Sequence, residues 1–317
     1  MELLGVGTPM MWAGFVLFVL LMLALDLGVF HRTSHTVSAR EALAWTTVWV
    51  CAALGFSGLV YAGFGADKAM EFLTGYAIEK ALAIDNIFVF VAVFGAFAVP
   101  AVTQHRVLFF GVLGALVMRA AFIFAGSALI MRFHWVLYLF GALLLLTGAR
   151  MLTARSEAPE DVSQNRLLAA LRRWIPATDG YRGDAFFTIE NGRRLATPLF
   201  FVLVLIEVAD LVFAVDSIPA IFAVTTDPFI VFTSNIFAIL GLRSMYFLLA
   251  DLVPRFIYLK VGLALVLMFV GCKMLIVEWV KLPTPVSLGV VLALVVGSIL
   301  VSLRTVKAAE APPLPRP

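Results

Sequence analysis

Nine apolar runs, each long enough to cross a bilayer as a helix, divide these 317 residues and leave room for little else. They cover residues 10–30, 45–64, 76–98, 107–130, 134–152, 198–221, 229–250, 257–279 and 286–303. Crossing about 30 Å of hydrocarbon takes roughly 17–25 helical residues. Backbone N–H and C=O groups cannot go unpaired in lipid, so the fold class these runs predict is all-α, a polytopic bundle of about nine transmembrane helices. Composition agrees. Of the residues, 62% are hydrophobic and 14% charged, against about 45–50% and about 25% in soluble domains. A soluble enzyme is excluded. Cys51 and Cys272 both lie inside apolar runs, which leaves neither a disulfide framework nor a thiolate metal cluster.

The first run is preceded by Glu2 and no Lys or Arg, and is followed by His31 and Arg32, so it reads as a retained helix rather than a signal peptide. Basic residues then set the orientation. Arg32, Arg40, Arg106, eight arginines between 150 and 194, Arg255, Lys260, Arg304, Lys307 and Arg316 fall on one side, sixteen in all. Only Lys68, Arg132 and Lys281 fall on the other. The positive-inside rule therefore predicts an outer N-terminus and a cytoplasmic C-terminus. The segment 153–197 becomes a cytoplasmic loop, with Arg172, Arg173 and Trp174 suggesting a short interfacial helix and a Gly-rich turn from Asp179 to Asp184. The Pro-rich tail 311–317 is expected to be disordered. No phosphate-binding loop or nucleotide fingerprint occurs, and no nucleic-acid partner is expected.

Six acids interrupt the apolar runs: Asp26, Glu79, Asp85, Glu207, Asp210 and Asp216. Each costs about 2.5–3.5 kcal/mol at a helix centre on insertion scales. Structural pairing with Lys80, Arg119 and Arg243 would explain any one of them. It does not explain the count, since six acids against three bases leave a deficit that protons or a bound cation must fill.

The acids also recur in pattern. Ile78-Glu79-Lys80-Ala81-Leu82-Ala83-Ile84-Asp85-Asn86-Ile87 and Asp210-Leu211-Val212-Phe213-Ala214-Val215-Asp216-Ser217-Ile218 each hold an acid, five residues, a second acid, a small polar residue and Ile. Gly114 to Arg119 resembles Gly241 to Arg243, and Tyr138-Leu139 with Gly148 and Arg150 resembles Tyr258-Leu259 with Gly271 and Lys273. Runs three to five thus read as a repeat of runs six to eight. Three crossings per unit make it an inverted repeat, the arrangement that puts a transporter's substrate at the midplane. The predicted organisation is a two-helix extension (1–66), a first three-helix repeat (67–153), the cytoplasmic loop (154–197), a second repeat (198–280), and a last helix with its tail (281–317).

Acids six residues apart on a straight helix differ by about 120° in azimuth and about 9 Å in height, so they cannot all face one ion. Pro219 removes a backbone donor near Asp216, which either kinks the helix there or is simply accommodated. The candidate ligands are Asp85 and Asp216 as the primary pair, Glu79, Glu207 and Asp210 as further ligands or proton carriers, the Asn86 amide and the Ser217 hydroxyl. Asn235 and Asp26 are accessory candidates. Lys80, Arg119 and Arg243 would pair with the acids when these are empty. Hard oxygen donors suit Mg²⁺, Ca²⁺ or Mn²⁺, whereas His31, His35, His105 and His134 lie at helix ends or in loops and read as interfacial.

The run from Thr197 to Pro254 contains Thr197-Pro198-Leu199, Glu207, Asp210, Phe213-Ala214-Val215-Asp216-Ser217-Ile218-Pro219-Ala220-Ile221, Asp227-Pro228-Phe229-Ile230, Thr233-Ser234-Asn235-Ile236-Phe237 and Leu240-Gly241-Leu242-Arg243. In these motifs it resembles the TerC family. With Ala24-Leu25-Asp26-Leu27-Gly28-Val29-Phe30 and Asp85-Asn86, the chain is similar to the Alx-type members. The resemblance implies a multi-pass protein of the bacterial inner membrane, from a family named for tellurium resistance and associated with manganese export. It carries the family's acidic positions over to Glu79, Asp85, Glu207, Asp210 and Asp216. The function implied is secondary transport of Mn²⁺ out of the cytoplasm in exchange for protons, with the metal as cargo and no prosthetic group. Its expected partners are the metal, protons and membrane lipid, and a homo-oligomer is left open. Two other classes compete: an intramembrane enzyme with Asp85 and Asp216 as a catalytic dyad, and a non-transporting metal sensor or scaffold. The Gly-x-Gly-Asp motif of an aspartyl protease is absent from the spans, which argues against the first.

Overall fold

The computed structural model describes residues 5–28, 38–133, 135–153, 175–190, 192–250, 258–280 and 282–309. The helices are α1 (Pro9–Gly28), α2 (Ala39–Phe64), α3 (Ala66–Ala96), α4 (Ala101–Arg132), α5 (Val136–Thr153), α6 (Pro198–Phe222), α7 (Pro228–Leu240), α8 (Leu242–Leu249), α9 (Leu259–Leu275) and α10 (Thr284–Ala309). Between α5 and α6 lie two short strands, β1 (Phe187–Glu190) and β2 (Arg193–Ala196). Among the described residues, six stretches are long and apolar enough to cross a membrane: Ala39–Phe64, Ala101–Arg132, Val136–Thr153, Pro198–Phe222, Pro228–Leu249 and Thr284–Thr305. The other three runs of the sequence are helical too. The apolar part of α1 is only Pro9–Ala24, α3 carries Asp67, Lys68, Glu71, Glu79, Lys80 and Asp85, and α9 has 17 residues. The chain is a polytopic helical membrane protein.

The centre of the bundle is α3, packed against α6 and α7, with α4 against the same two helices. The α7–α8 stretch is buried from Pro228 to Tyr246, whereas α2 and α10 present many exposed apolar side chains, as lipid-facing helices do. The seam between α5 and α9 is antiparallel and closed by glycine. A Cβ on Gly271 would lie 2.8 Å from the Gly141 carbonyl oxygen, and one on Gly148 would lie 2.7 Å from that of Ala264. Small residues let two backbones approach in lipid, where apolar burial alone gives helices no reason to associate.

Local sequence explains the turns. Gly65 ends α2 and starts α3 at φ +88°, a conformation only glycine adopts without strain. Asp227 caps α7: its carboxylate accepts from Phe229 N at 3.0 Å and Ile230 N at 3.3 Å, while Oδ2 accepts from Val6 N at 2.9 Å. Replacing Asp227 by Ala leaves three donors without their partner. Thermal unfolding in detergent is expected to report a loss of about 0.5–2 kcal/mol, as for other lost caps.

Two features depart from the sequence expectation. The segment 154–197 is not purely loop, because β1 and β2 form an antiparallel hairpin in the register Phe187↔Ala196 to Glu190↔Arg193. The Asn191-Gly192 pair between the strands, with Gly192 at φ +74°, is the usual signature of a tight hairpin and was the available signal. The hairpin region docks on the bundle through Tyr181 Oη, which donates to the Phe97 carbonyl at 2.7 Å, and through the Arg106–Asp184 ion pair. Burial pushes the Tyr181 phenol up from its usual range, which keeps it a donor. The second departure concerns breaks. The helix α6 runs unbroken through Pro219, and the interruption falls in the next span, at Gly241 between α7 and α8. The expected interfacial helix at Arg172–Trp174, the tail 311–317, His31, His35 and His134 lie outside the described residues, as does the side chain of Asp26. His105 is half-buried near the start of α4.

Candidate cation site

At the centre of the bundle a single arginine gathers the polar side chains of three other helices. Arg119 of α4 is 1% exposed. Its Nε and Nη2 grip Asp210 of α6 in a fork, donating to Oδ2 at 3.2 Å and Oδ1 at 3.0 Å. Its Nη1 donates to Glu79 Oε1 of α3, to Ser217 Oγ of α6 at 3.2 Å and to Asn235 Oδ1 of α7 at 3.5 Å. Asn86 of α3 closes the group, donating from Nδ2 to Asp210 Oδ1 at 3.1 Å. Glu79, Asn86, Asp210, Ser217 and Asn235 are each 3% exposed or less. Among the described residues, Glu79 Oε2 and Asn235 Nδ2 have no hydrogen-bond partner. Helical spacing explains the convergence: Glu79 and Asn86 are seven residues apart on α3, as Asp210 and Ser217 are on α6, and seven residues make about two turns.

The other basic residues are placed with equal economy. Arg243, just past the Gly241 break, lines a small enclosed void with Asp210. The void measures about 10 Å³, close to the space one water needs. Arg243 thus shares the lining of this void with Asp210, whose carboxylate the Arg119 fork holds. Lys80 sits over the break itself, donating to the Ala238 carbonyl at 3.2 Å, and a Cβ on Gly241 would lie 2.5 Å from its Nζ. An ammonium there meets the negative end of α7. Lys80 was expected to pair with an acid; the chain break claims it instead.

Asp85 and Asp216, expected as the primary pair, are not in this cluster. Both are half-buried. Asp216 Oδ1 accepts from Thr147 of α5 at 3.0 Å, and Asp85 lies in the field of Lys260 of α9. Glu207 is half-buried and packs over Gly114 of α4, where a Cβ would fall on its carboxylate. Six residues separate each outlying aspartate from its central partner, and the azimuthal difference of about 120° carries it to another neighbour. Among the described residues no three His, Cys, Asp or Glu side chains converge on one point. The centre therefore holds two carboxylates, an amide oxygen and a hydroxyl around a guanidinium. That donor set suits a hard dication, in the position a tethered cation now takes. Thr147 was missed by sequence reasoning, and Gly241 was named only for its place in the repeat and the family motif, not as a helix break.

Comparison with known proteins places the chain. It is 55% identical over 308 residues to the uncharacterized membrane protein STKORF319 of Myxococcus xanthus, covering 97% of this chain and 96% of that one. To Alx of Escherichia coli (strain K12), which its name proposes as a membrane-bound redox modulator, it is 49% identical over 306 residues, 94% of this chain and 95% of the other. An uncharacterized membrane protein of Rickettsia bellii shares 41% over 294 residues, 93% of this chain and 97% of the other. No solved structure matches. Residues 64–310 match the sequence profile of the integral membrane protein TerC family, and with full-length relatives at such identity the chain belongs to that family.

Proposed function

We propose that the protein is a secondary transporter that exports divalent metal cations, Mn²⁺ foremost, from the cytoplasm in exchange for protons. The observation that carries this reading is the Arg119 cluster: two fully buried carboxylates with neutral oxygen donors around a cation that the chain itself supplies. A dication arriving from the cytoplasm displaces the guanidinium from Glu79 and Asp210 and takes Asn86, Ser217 and Asn235 oxygens in its place. When it leaves, Arg119 returns and the acids are not left bare. Metal binding requires deprotonated carboxylates, so metal and proton occupancy oppose one another. Asp85, Asp216 and Glu207, less buried, are the approach ligands and proton carriers. In this reading α1, α3 and α9 also cross, giving nine spans in the inner membrane with the N-terminus outside. Support for the inverted repeat comes from the pairwise packing of corresponding helices, α3 with α6, α4 with α7 and α5 with α9. The redox role in a relative's name is compatible with control of a redox-active cation.

The test is Mn²⁺ flux into proteoliposomes of purified protein across a pH gradient, with Mg²⁺, Ca²⁺ and Fe²⁺ as competitors. Wild type should carry Mn²⁺, and Glu79→Gln with Asp210→Asn should reduce the rate to that of protein-free vesicles while membrane insertion is kept. Wild-type vesicles that bind the metal without passing it would point to the sensor class. Full flux in the double variant would remove the acids from the mechanism.

A further inference from the structure

At the end of the bundle opposite the hairpin a cavity of about 590 Å³ opens between α3, α6 and α9. Its polar lining is Lys68 and Glu71 of α3, Thr225 and Thr226 of the turn after α6, and Lys273 of α9. The balance is cationic, two ammonium groups against one carboxylate, and that carboxylate is already engaged: Lys68 Nζ donates to Glu71 Oε2 at 2.7 Å. Asp227, whose Oδ2 lies 3.9 Å from Lys68 Nζ, lines the adjoining cavity instead and accepts from the backbone N–H groups of Val6, Phe229 and Ile230. Lys273 is 9% exposed and makes no hydrogen bond to any described residue. The Pro219 and Ile221 carbonyls at the end of α6 do not answer it, because they accept from Ala223 N, Val224 N and Thr225 N.

The lining thus offers donors in excess of acceptors: the Lys273 ammonium, the remaining protons of Lys68, and the hydroxyls of Thr225 and Thr226. A buried ammonium without a partner is costly, and an anion is what relieves that cost. The rest of the wall is apolar and includes Leu137, Phe222 and Val277. Two tryptophans mark its depth. Trp135, two residues before Leu137, is 61% exposed, and Trp279, two residues after Val277, is 78% exposed. Exposed tryptophans on a membrane protein collect at the level of the lipid headgroups. Basic pockets between transmembrane helices at that level hold anionic headgroups. A lipid whose phosphate reaches Lys273 would lay its acyl chains along the apolar part of the wall.

We infer that this cavity binds the headgroup phosphate of an anionic phospholipid, with Lys273 as its buried contact and Lys68, Thr225 and Thr226 around it. The phosphate supplies the counter-charge that Lys273 lacks within the chain and ties α3, α6 and α9 together at this end of the bundle. The lipid is a structural ligand rather than cargo, so the inference stands apart from the transport reading. In the orientation proposed above it belongs to the outer leaflet.

Native mass spectrometry of the detergent-purified full-length protein, titrated with phosphatidylglycerol, phosphatidylcholine or inorganic phosphate, tests the site. Phosphatidylglycerol should bind most tightly, because the choline of phosphatidylcholine cancels the phosphate charge. Lys273→Met should weaken phosphatidylglycerol about tenfold, the loss of one charge-assisted hydrogen bond, and Lys273→Arg should restore it. Glu71→Gln removes the carboxylate of the lining and should tighten binding several-fold, a change of opposite sign that misfolding cannot produce. Arg132→Met loses the same charge at the same end of the bundle, from an exposed position in neither lining, and should leave the affinity unchanged. Equal losses in Lys273→Met and Arg132→Met would reduce the effect to general surface attraction and overturn the proposal. Unchanged affinity in Lys273→Met, or weaker binding in Glu71→Gln, would overturn it as well. Inorganic phosphate that displaces the lipid at equal concentration would assign the cavity to a free anion and overturn the lipid.

Discussion

Arg119→Met is expected to cost about 3–5 kcal/mol of stability, the penalty for removing one partner of a buried charge network. The substitution strips the fork from Asp210 and the donor from Glu79, and it leaves two carboxylates facing each other at 3% exposure or less. Methionine fills comparable volume, so the loss is electrostatic rather than a cavity effect. Adding Glu79→Gln and Asp210→Asn should restore most of the stability, because neutral amides no longer need the guanidinium. Unfolding in detergent micelles measures both. A small effect of Arg119→Met on its own would mean that the acids are neutral or otherwise paired. Failure of the triple variant to recover would mean that Arg119 acts through packing.

The second large effect is expected at Gly271. Its missing Cβ faces the Gly141 carbonyl oxygen at 2.8 Å and Leu145 at 3.0 Å, so Gly271→Leu must push α5 and α9 apart. Overpacking of this kind costs about 1–3 kcal/mol and more where backbone must move. Gly289→Leu on α10 supplies the control, since nothing lies within 4 Å of a Cβ there. A difference in unfolding temperature between the two variants checks the prediction. Equal losses would show that the α5–α9 seam is not the tight one.

How far the sequence carried follows from what hydropathy encodes. It marks where a helix runs and which residues within it are too polar to be lipid-facing, so the helices, Glu79, Asp210, Ser217, Asn86, Asn235 and Arg119 were all legible. It does not give the azimuth of neighbouring helices. Asp85 and Asp216 stand in motifs as prominent as those of Glu79 and Asp210, yet neither joins the Arg119 cluster, and Asp216 accepts from Thr147 instead. Lys80 looked like a counter-ion because it is one of the few bases inside the apolar runs, and only the position of the Gly241 break, on a different helix, shows which group it serves. Proline drew attention to α6, but the helix runs through Pro219 and ends three residues later at Phe222. The hairpin went unseen because four-residue strands in a charged loop leave almost no hydropathy pattern.

The guanidinium at the centre has a further consequence for the life of the protein. Small zinc domains collapse when stripped of metal, because the ion is part of what folds them. Here Arg119 is paired with Glu79 and Asp210 by the chain itself, with no metal needed. For the transport role proposed above, biogenesis would thereby be uncoupled from nutrition: a cell starved of the metal could still assemble the protein.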